Sequence, residues 1–486
     1  MLMRAAVLPW FAFGALSLAA NAAAAEPGDH IRLGSGGEFV PSLSVAGVYR
    51  TNNYLTVGSR FGDSEDDAAV GGAHLQVRPQ FTIDYESRAL ELGVTGGYDF
   101  RKYFVEGLTN LDRFRNFNAG LSMGILPQGV VGVNLDSGVQ ITGRETEAVN
   151  SDDALLQQLV SRNEATLSVR PGNAMELQAG GVFEARSITV PEGFVQQPNG
   201  APSANLNARR GYGVVSSFNW EFLPKTAIVA DFERITTLWE SNEISARGQG
   251  VGDFAIEASD GGFIPCDQVN GSDCFLPVPD GVFTSFHAGL RGRFTKKLVV
   301  GAVLGYTRAT FDATTVEAPL LSEDGQPAGT QAMVDREDSA KCGQLGAAEG
   351  VNDELVGLPC ALNGNFEVRY DIRPNHRITT GFLRDTQPVF FTNYLNLNRY
   401  YIGYLGTFAD RHTMSVSFDA NQQFYRGQVV RDDLWFRART DFGWGVLKWL
   451  VIDTGVWYTG RRSADQAYPT IEYDDFNIHG GFTMTY

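Results

Sequence analysis

Residues 73–86 read Ala73-His74-Leu75-Gln76-Val77-Arg78-Pro79-Gln80-Phe81-Thr82-Ile83-Asp84-Tyr85-Glu86. Every odd position is apolar and every even one is polar, the period of a strand whose successive side chains point to opposite faces. After Ser87-Arg88 the alternation resumes, with Leu90, Leu92, Val94, Gly96, Tyr98 and Phe100 on one face and Glu91, Thr95, Asp99 and Arg101 on the other. Two such runs joined by a two-residue break make an antiparallel hairpin. The charges fall in mid-strand, where a packed soluble core would have to pair each of them.

The same pattern recurs along the chain. Val131, Val133, Leu135, Val139 and Ile141 alternate with Asn134, Asp136, Gln140 and Thr142. Met414, Val416, Phe418 and Ala420 alternate with Ser415, Ser417, Asp419 and Asn421, and Leu434, Phe436, Ala438, Phe442 and Trp444 face away from Arg437, Arg439 and Asp441. A soluble sandwich would turn the apolar face inward, whereas a membrane barrel turns it to lipid and lines a wet lumen with the polar face. The runs are roughly 11–15 residues long, beyond the usual soluble strand and enough to span a bilayer at a tilt. Short breaks (Ser87-Arg88, Pro127-Gln128-Gly129, Pro171-Gly172-Asn173, Pro224-Lys225, Lys296-Lys297, Pro374-Asn375, Asp410-Arg411) alternate with longer polar insertions, as turns on one membrane side and loops on the other require. The expected fold is all-β: a transmembrane antiparallel up-and-down barrel of about 18 strands with both termini on the turn, or periplasmic, side.

Apolar-phase aromatics collect at the strand ends, with Tyr85, Phe222, Phe294, Phe408, Trp444 and Tyr486 near the turns and Tyr49, Phe100, Tyr212 and Tyr306 near the loops. Two such girdles mark membrane interfaces. In the last strand Phe476, Ile478, Phe482, Met484 and Tyr486 share the apolar phase. Phe482, Met484 and Tyr486 form an aromatic-terminated strand similar to the signal read by bacterial barrel-insertion machinery, which with outer-membrane lipid is an expected partner. Residues 1–25 read as a secretory signal, with Arg4, an apolar run from Ala5 to Ala20 and Ala23-Ala24-Ala25 before Glu26. Residues 26–37 are expected as a short periplasmic segment and 38–486 as the barrel.

The largest insertions, about 239–282 and 312–361, hold eighteen acidic residues against three basic ones, so most of the net charge of −17 sits in loops and the barrel is near neutral. This distribution weighs against nucleic acid as a partner. All four cysteines, Cys266, Cys274, Cys342 and Cys360, lie in these insertions. An even count in an exported chain suggests disulfides, with three possible connectivities. Pairing within each local couple is the expectation, and each closure would stabilise by roughly 2–4 kcal/mol. No metal or cofactor is expected.

The polar phase supplies the candidate pore-lining residues: Arg78, Asp84, Asp99, Arg101, Arg291, Arg293, Glu367, Arg369, Asp371, Arg373, Arg437, Arg439 and Asp441. Opposite charges on neighbouring strands can tune selectivity, but their simpler role is cross-strand pairing. Tyr401, Trp435 and Trp457 fall in the same phase and could stack on sugar rings. A lipid-cleaving barrel needs a Ser and His at the lipid-facing surface. His74, His287 and His479 fall in the lumen phase, and His376 and His412 at short turns. No enzymatic activity is expected.

The stretch Pro41-Ser42-Leu43-Ser44-Val45-Ala46-Gly47-Val48-Tyr49-Arg50-Thr51-Asn52-Asn53-Tyr54 resembles the opening strand of the β-barrel porin 2 family of outer-membrane proteins. Leu223-Pro224-Lys225-Thr226, Thr295-Lys296-Lys297-Leu298, Arg431-Asp432-Asp433, Arg461-Arg462-Ser463 and Tyr473-Asp474-Asp475-Phe476-Asn477 carry the resemblance through the remaining chain. It implies an outer-membrane barrel associated with exopolysaccharide secretion and transfers no catalytic residues. The leading expectation is a passive porin-like conduit for exported polysaccharide, with periplasmic and inner-membrane export proteins as partners. The alternatives are a general diffusion porin and an adhesion or structural barrel with a closed lumen.

Overall fold

The computed structural model describes residues 31–33, 36–53, 71–105, 108–113, 116–143, 157–172, 174–189, 209–239, 280–311, 362–389, 392–409, 411–426, 431–463 and 473–485, with short pieces at 255–257, 263–265, 316–321, 327–333, 352–353 and 358–359. The long strands, numbered in chain order, are β1 (Gly37–Arg50), β2 (Gly72–Glu86), β3 (Leu90–Tyr103), β4 (Asn116–Ile125), β5 (Val131–Gly143), β6 (Gln157–Gly172), β7 (Met175–Thr189), β8 (Arg209–Leu223) and β9 (Thr226–Trp239). The second half continues with β10 (Gly281–Arg293), β11 (Leu298–Phe311), β12 (Leu362–Arg373), β13 (His376–Val389), β14 (Thr392–Phe408), β15 (His412–Arg426), β16 (Arg431–Leu447), β17 (Leu450–Ser463) and β18 (Tyr473–Thr485).

Each strand pairs antiparallel with the next, and β18 closes on β1 through Ser42↔Thr485 to Arg50↔Asn477. The eighteen strands therefore form one closed up-and-down barrel, which leaves no open edge. A short segment, Ile31–Leu33, folds back on Gly37–Phe39 beside the turn end of β1. Within the two large insertions Ala255–Glu257 pairs with Phe263–Pro265, Val316–Leu321 with Pro327–Met333 and Asn352–Asp353 with Leu358–Pro359. The cysteines and Tyr486 lie outside the described residues.

Side-chain phase is unbroken around the circumference. Arg78 faces Ser44, which faces Thr483, and the same inner row passes to Val451. Burial fixes which phase is inside. His74 (3% exposed) and Gln76 (6%) are covered, while their neighbour Leu75 (37%) is open to the exterior. Exposed large apolar side chains occur on nearly every strand, and the buried side chains are mostly Asn, Thr, Arg and Asp. That inversion of a soluble core is what lipid outside and water inside demand. Phe222, Phe294, Phe408 and Trp444 near the turns, and Tyr49, Phe100, Tyr212 and Tyr306 near the loops, all point outward and are exposed.

The connections differ in two places from the sequence reading. Lys448-Trp449 forms a further two-residue turn between β16 and β17. It lies within an aromatic and aliphatic run with no Pro, Asn or Asp to mark it. At the loop end, β13 and β14 are separated by only residues 390–391, so not every connection on that side is long. Two turn residues, Leu126 (φ 52°) and Ala409 (φ 48°), adopt the left-handed region that glycine usually supplies.

Candidate functional site

The lumen wall is built from the polar phase of all eighteen strands, and its charges are organised in local clusters. On β2 and β3, Asp99 accepts from Arg101 Nη2 (2.9 Å) and from Gln76 Nε2 (2.7 and 2.8 Å), with Arg78 Nε at 3.5 Å. On β12 and β13, Asp371 takes Arg369 (3.3 Å) and Arg377 (3.2 Å). On β16, Arg439 Nε donates to Asp441 (2.6 Å), which also accepts from Ser415 Oγ (3.1 Å). Glu367 accepts the Tyr401 hydroxyl (2.8 Å). Arg291 and Arg293 sit on the inner phase of β10 towards its turn end. Asp84 and Arg373 lie near the turns with no ion pair among the described residues, and Asp84 faces Glu38 across the β1–β2 ladder.

Larger pairings lie outside the candidate set. Arg162 on β6 meets Glu184 on β7, Glu233 on β9 (2.7 Å) and Glu164 (3.7 Å). Arg399 on β14 grips Asp419 on β15 through Nη2 (2.5 Å) and Nε (2.9 and 3.1 Å). Buried pairs Arg461–Asp433 (2.7 Å) and Arg50–Asp475 (2.5 Å) tie the wall near the loop end. These residues continue the polar phase already visible in the sequence. Their partnership depends on register between strands, up to 425 positions apart for Arg50 and Asp475.

The three inner aromatics are each paired with a guanidinium. Arg437 lies over Trp435 (4.6 Å), Arg439 over Trp457 (5.6 Å) and Arg399 over Tyr401 (5.5 Å), distances that suit cation–π contact. Tyr401 reaches Glu367 by lying across Gly381, where a β-carbon would collide with the tyrosine hydroxyl. Arg437 has no carboxylate within ion-pair distance among the described residues, although Asp419 faces it across the ladder. Arg399 already occupies that carboxylate, and Arg437 Nε is buried without a hydrogen-bond partner.

The described histidines sit beside carboxylates or aromatic rings. His287 Nδ1 sits 2.7 Å from Asp231, and His479 Nε2 lies 3.8 Å from both Asp441 and Asp453. His376 and His412 open β13 and β15 with their rings on the outer face, so the lipid-facing surface does carry histidine on strands, contrary to the sequence reading. Their neighbours are aromatic: His376 Nδ1 is 2.7 Å from the Tyr404 hydroxyl, and His412 stacks by Phe442 and Trp444. Neither has a serine hydroxyl hydrogen-bonded to it among the described residues, the contact a serine nucleophile would need. No group of three or more His, Cys, Asp or Glu side chains among the described residues could hold a metal ion.

A closed barrel with an apolar exterior and a charged interior is a transmembrane β-barrel. No family model matches the chain, and no curated protein matches it. Among solved structures it is similar to the outer-membrane protein OpdK from Pseudomonas aeruginosa, at 10% identity over 92% of this chain and 99% of that one, with a TM-score of 0.40. It is also similar to the FrpB iron transporter from Neisseria meningitidis (9% identity, 93% and 82% covered, TM-score 0.42) and to the copper transporter OprC (11%, 90% and 63%, 0.42). These likenesses concern the barrel and transfer no residue roles.

Proposed function

We propose that the chain is an outer-membrane channel that passes water-soluble charged solutes and favours anions where Arg437 lines the wall. The observation that carries this reading is Arg437, an inner-face guanidinium held over Trp435 and left without a carboxylate among the described residues. Barrels of 16–18 strands are wide enough for an aqueous channel. The other wall charges are largely neutralised by neighbours, so an uncompensated cation sets the local potential.

Purified protein in planar bilayers is expected to give stepwise conductance, and absence of any channel activity with the loops shown to occlude the lumen would sink the reading. Arg437→Glu combined with Arg439→Glu changes the wall by four charge units. Four units at roughly 10 Å in a water-like dielectric shift a passing ion by about 1.5 kcal/mol before salt screening, in opposite senses for anion and cation, so even after partial screening the anion/cation permeability ratio should fall by at least about tenfold in dilute salt.

The second reading is an exit for an exported acidic polysaccharide, as the resemblance of residues 41–54 to the opening strand of the β-barrel porin 2 family would imply. Tyr401, Trp435 and Trp457, each beside an arginine, are stepped along one wall and would suit sugar rings bearing carboxylates. Deleting the gene and assaying surface polysaccharide separates the two. Unchanged polysaccharide leaves only the solute channel.

A further inference from the structure

The outer face of β9, β10 and β11 carries a layered pattern near the loop end. Register places Phe232, Phe286 and Tyr306 in one row across the three strands. Two residues further towards the loops, Arg234, Thr284 and Arg308 form the next row, and Thr236, Val282 and Thr310 the one beyond. All belong to the outward phase. Phe286 is 53% and Tyr306 47% exposed, and Arg234 and Arg308 are exposed as well.

The other outward bases described at this end are already engaged. Lys102 is tied to Asp112, Arg462 to Asp474 (2.6 Å), and Arg384 is buried with its guanidinium on Leu362 O (2.7 Å) and Asn398 Oδ1 (2.8 Å). Arg234 and Arg308 have no partner among the described residues. They flank Thr284 two strand spacings apart, roughly 9–10 Å between backbones. Each can therefore take a separate anionic group.

Depth decides what those groups are. Arg234 lies eight residues from Thr226 and Arg308 ten from Leu298. At about 3.3 Å per residue and a tilt of roughly 40°, both stand about 20–25 Å above the turns, the height at which the apolar band of a membrane barrel ends. There an arginine costs little, and it meets headgroups. An aromatic row at the acyl boundary beneath paired guanidiniums is complementary to a lipid with acyl chains below and phosphates above.

We propose that this face is a binding site for a phosphorylated glycolipid of the outer leaflet, with Arg234 and Arg308 on its phosphates and Phe232, Phe286 and Tyr306 against its acyl chains. The inference rests on the outer-membrane reading for the orientation of the loop end, and it does not depend on solute passage through the lumen.

Native mass spectrometry of the detergent-purified full chain tests it, with diphosphoryl lipid A, its dephosphorylated form and phosphatidylethanolamine as probes. Diphosphoryl lipid A should be retained at least tenfold better than the other two. Arg234→Gln with Arg308→Gln should abolish that preference, while Lys296→Gln at the turn end should leave it intact. Retention of the phosphorylated lipid by the double variant, or equal retention of the dephosphorylated form by the wild type, would overturn the proposal. A heat-dependent gel shift confirms that each variant is a closed barrel. Bilayer conductance of the double variant should match wild type, so a failed lipid site and a failed channel give different results.

Discussion

Asp475→Ala is expected to destabilise the barrel by about 3–5 kcal/mol, the cost of leaving a buried charge uncompensated. Asp475 is 1% exposed and accepts from Arg50 Nε (3.0 Å) and Nη2 (2.5 Å), from the Asn52 amide (3.2 Å) and from Asn477 Nδ2 (2.6 Å). Arg50 and Asn52 belong to the first strand and the residues just after it, and Asp475 and Asn477 to the last. One carboxylate thus holds both sides of the seam where β18 closes on β1. Asp475→Asn keeps the shape but loses the charge, and should fall between wild type and alanine. Replacing both partners, Arg50→Met with Asp475→Leu, removes the orphaned charge and should recover most of the loss. Urea unfolding in lipid vesicles, read by tryptophan fluorescence and by the heat-dependent gel shift, measures all four proteins. An alanine variant within 1 kcal/mol of wild type would show that the seam is held by the ladder alone.

The seam also shows where sequence reading stops. Alternation is a local property, so Ala73–Glu86 discloses its two faces without help from any other strand, and phase alone puts Arg78, Asp99 and Arg437 on the same side. Pairing is not local. Which carboxylate Arg437 meets depends on the β15–β16 register, which sets Asp419 opposite it, and on Arg399 having claimed that carboxylate from the strand before. The inner aromatics were legible as lumen residues, but the guanidiniums over Tyr401, Trp435 and Trp457 were not. They change the chemistry of those rings from open stacking platforms to half-covered ones. Turns were legible where Pro, Asn, Asp or Gly, or a polar pair such as Ser87-Arg88 or Lys296-Lys297, breaks the pattern. At Lys448-Trp449 the apolar run continues through the reversal, and the next strand begins with no marker.

A pair of neighbouring substitutions on β11 tests the inversion itself. Leu304 is 71% exposed, six residues from Leu298, and therefore about 15 Å above the turns, near the middle of the apolar band. Leu304→Arg should cost about 2–4 kcal/mol in a bilayer, as a guanidinium at the midplane does. Val303 points into the lumen opposite Gly289 and Asn365, where an arginine side chain reaches water, and Val303→Arg should cost under about 1 kcal/mol. Tyr306→Arg, one step closer to the loops, should fall towards the lumen value because the cost declines to about 0–1 kcal/mol at the interface. Folding into lipid vesicles against urea supplies the three numbers. A water-soluble barrel would reverse the first expectation, since arginine in place of an exposed leucine would be neutral or favourable there. A large cost at Leu304 beside small ones at Tyr306 and Val303 requires lipid outside the wall and water within it, and it follows from the period of two in the sequence.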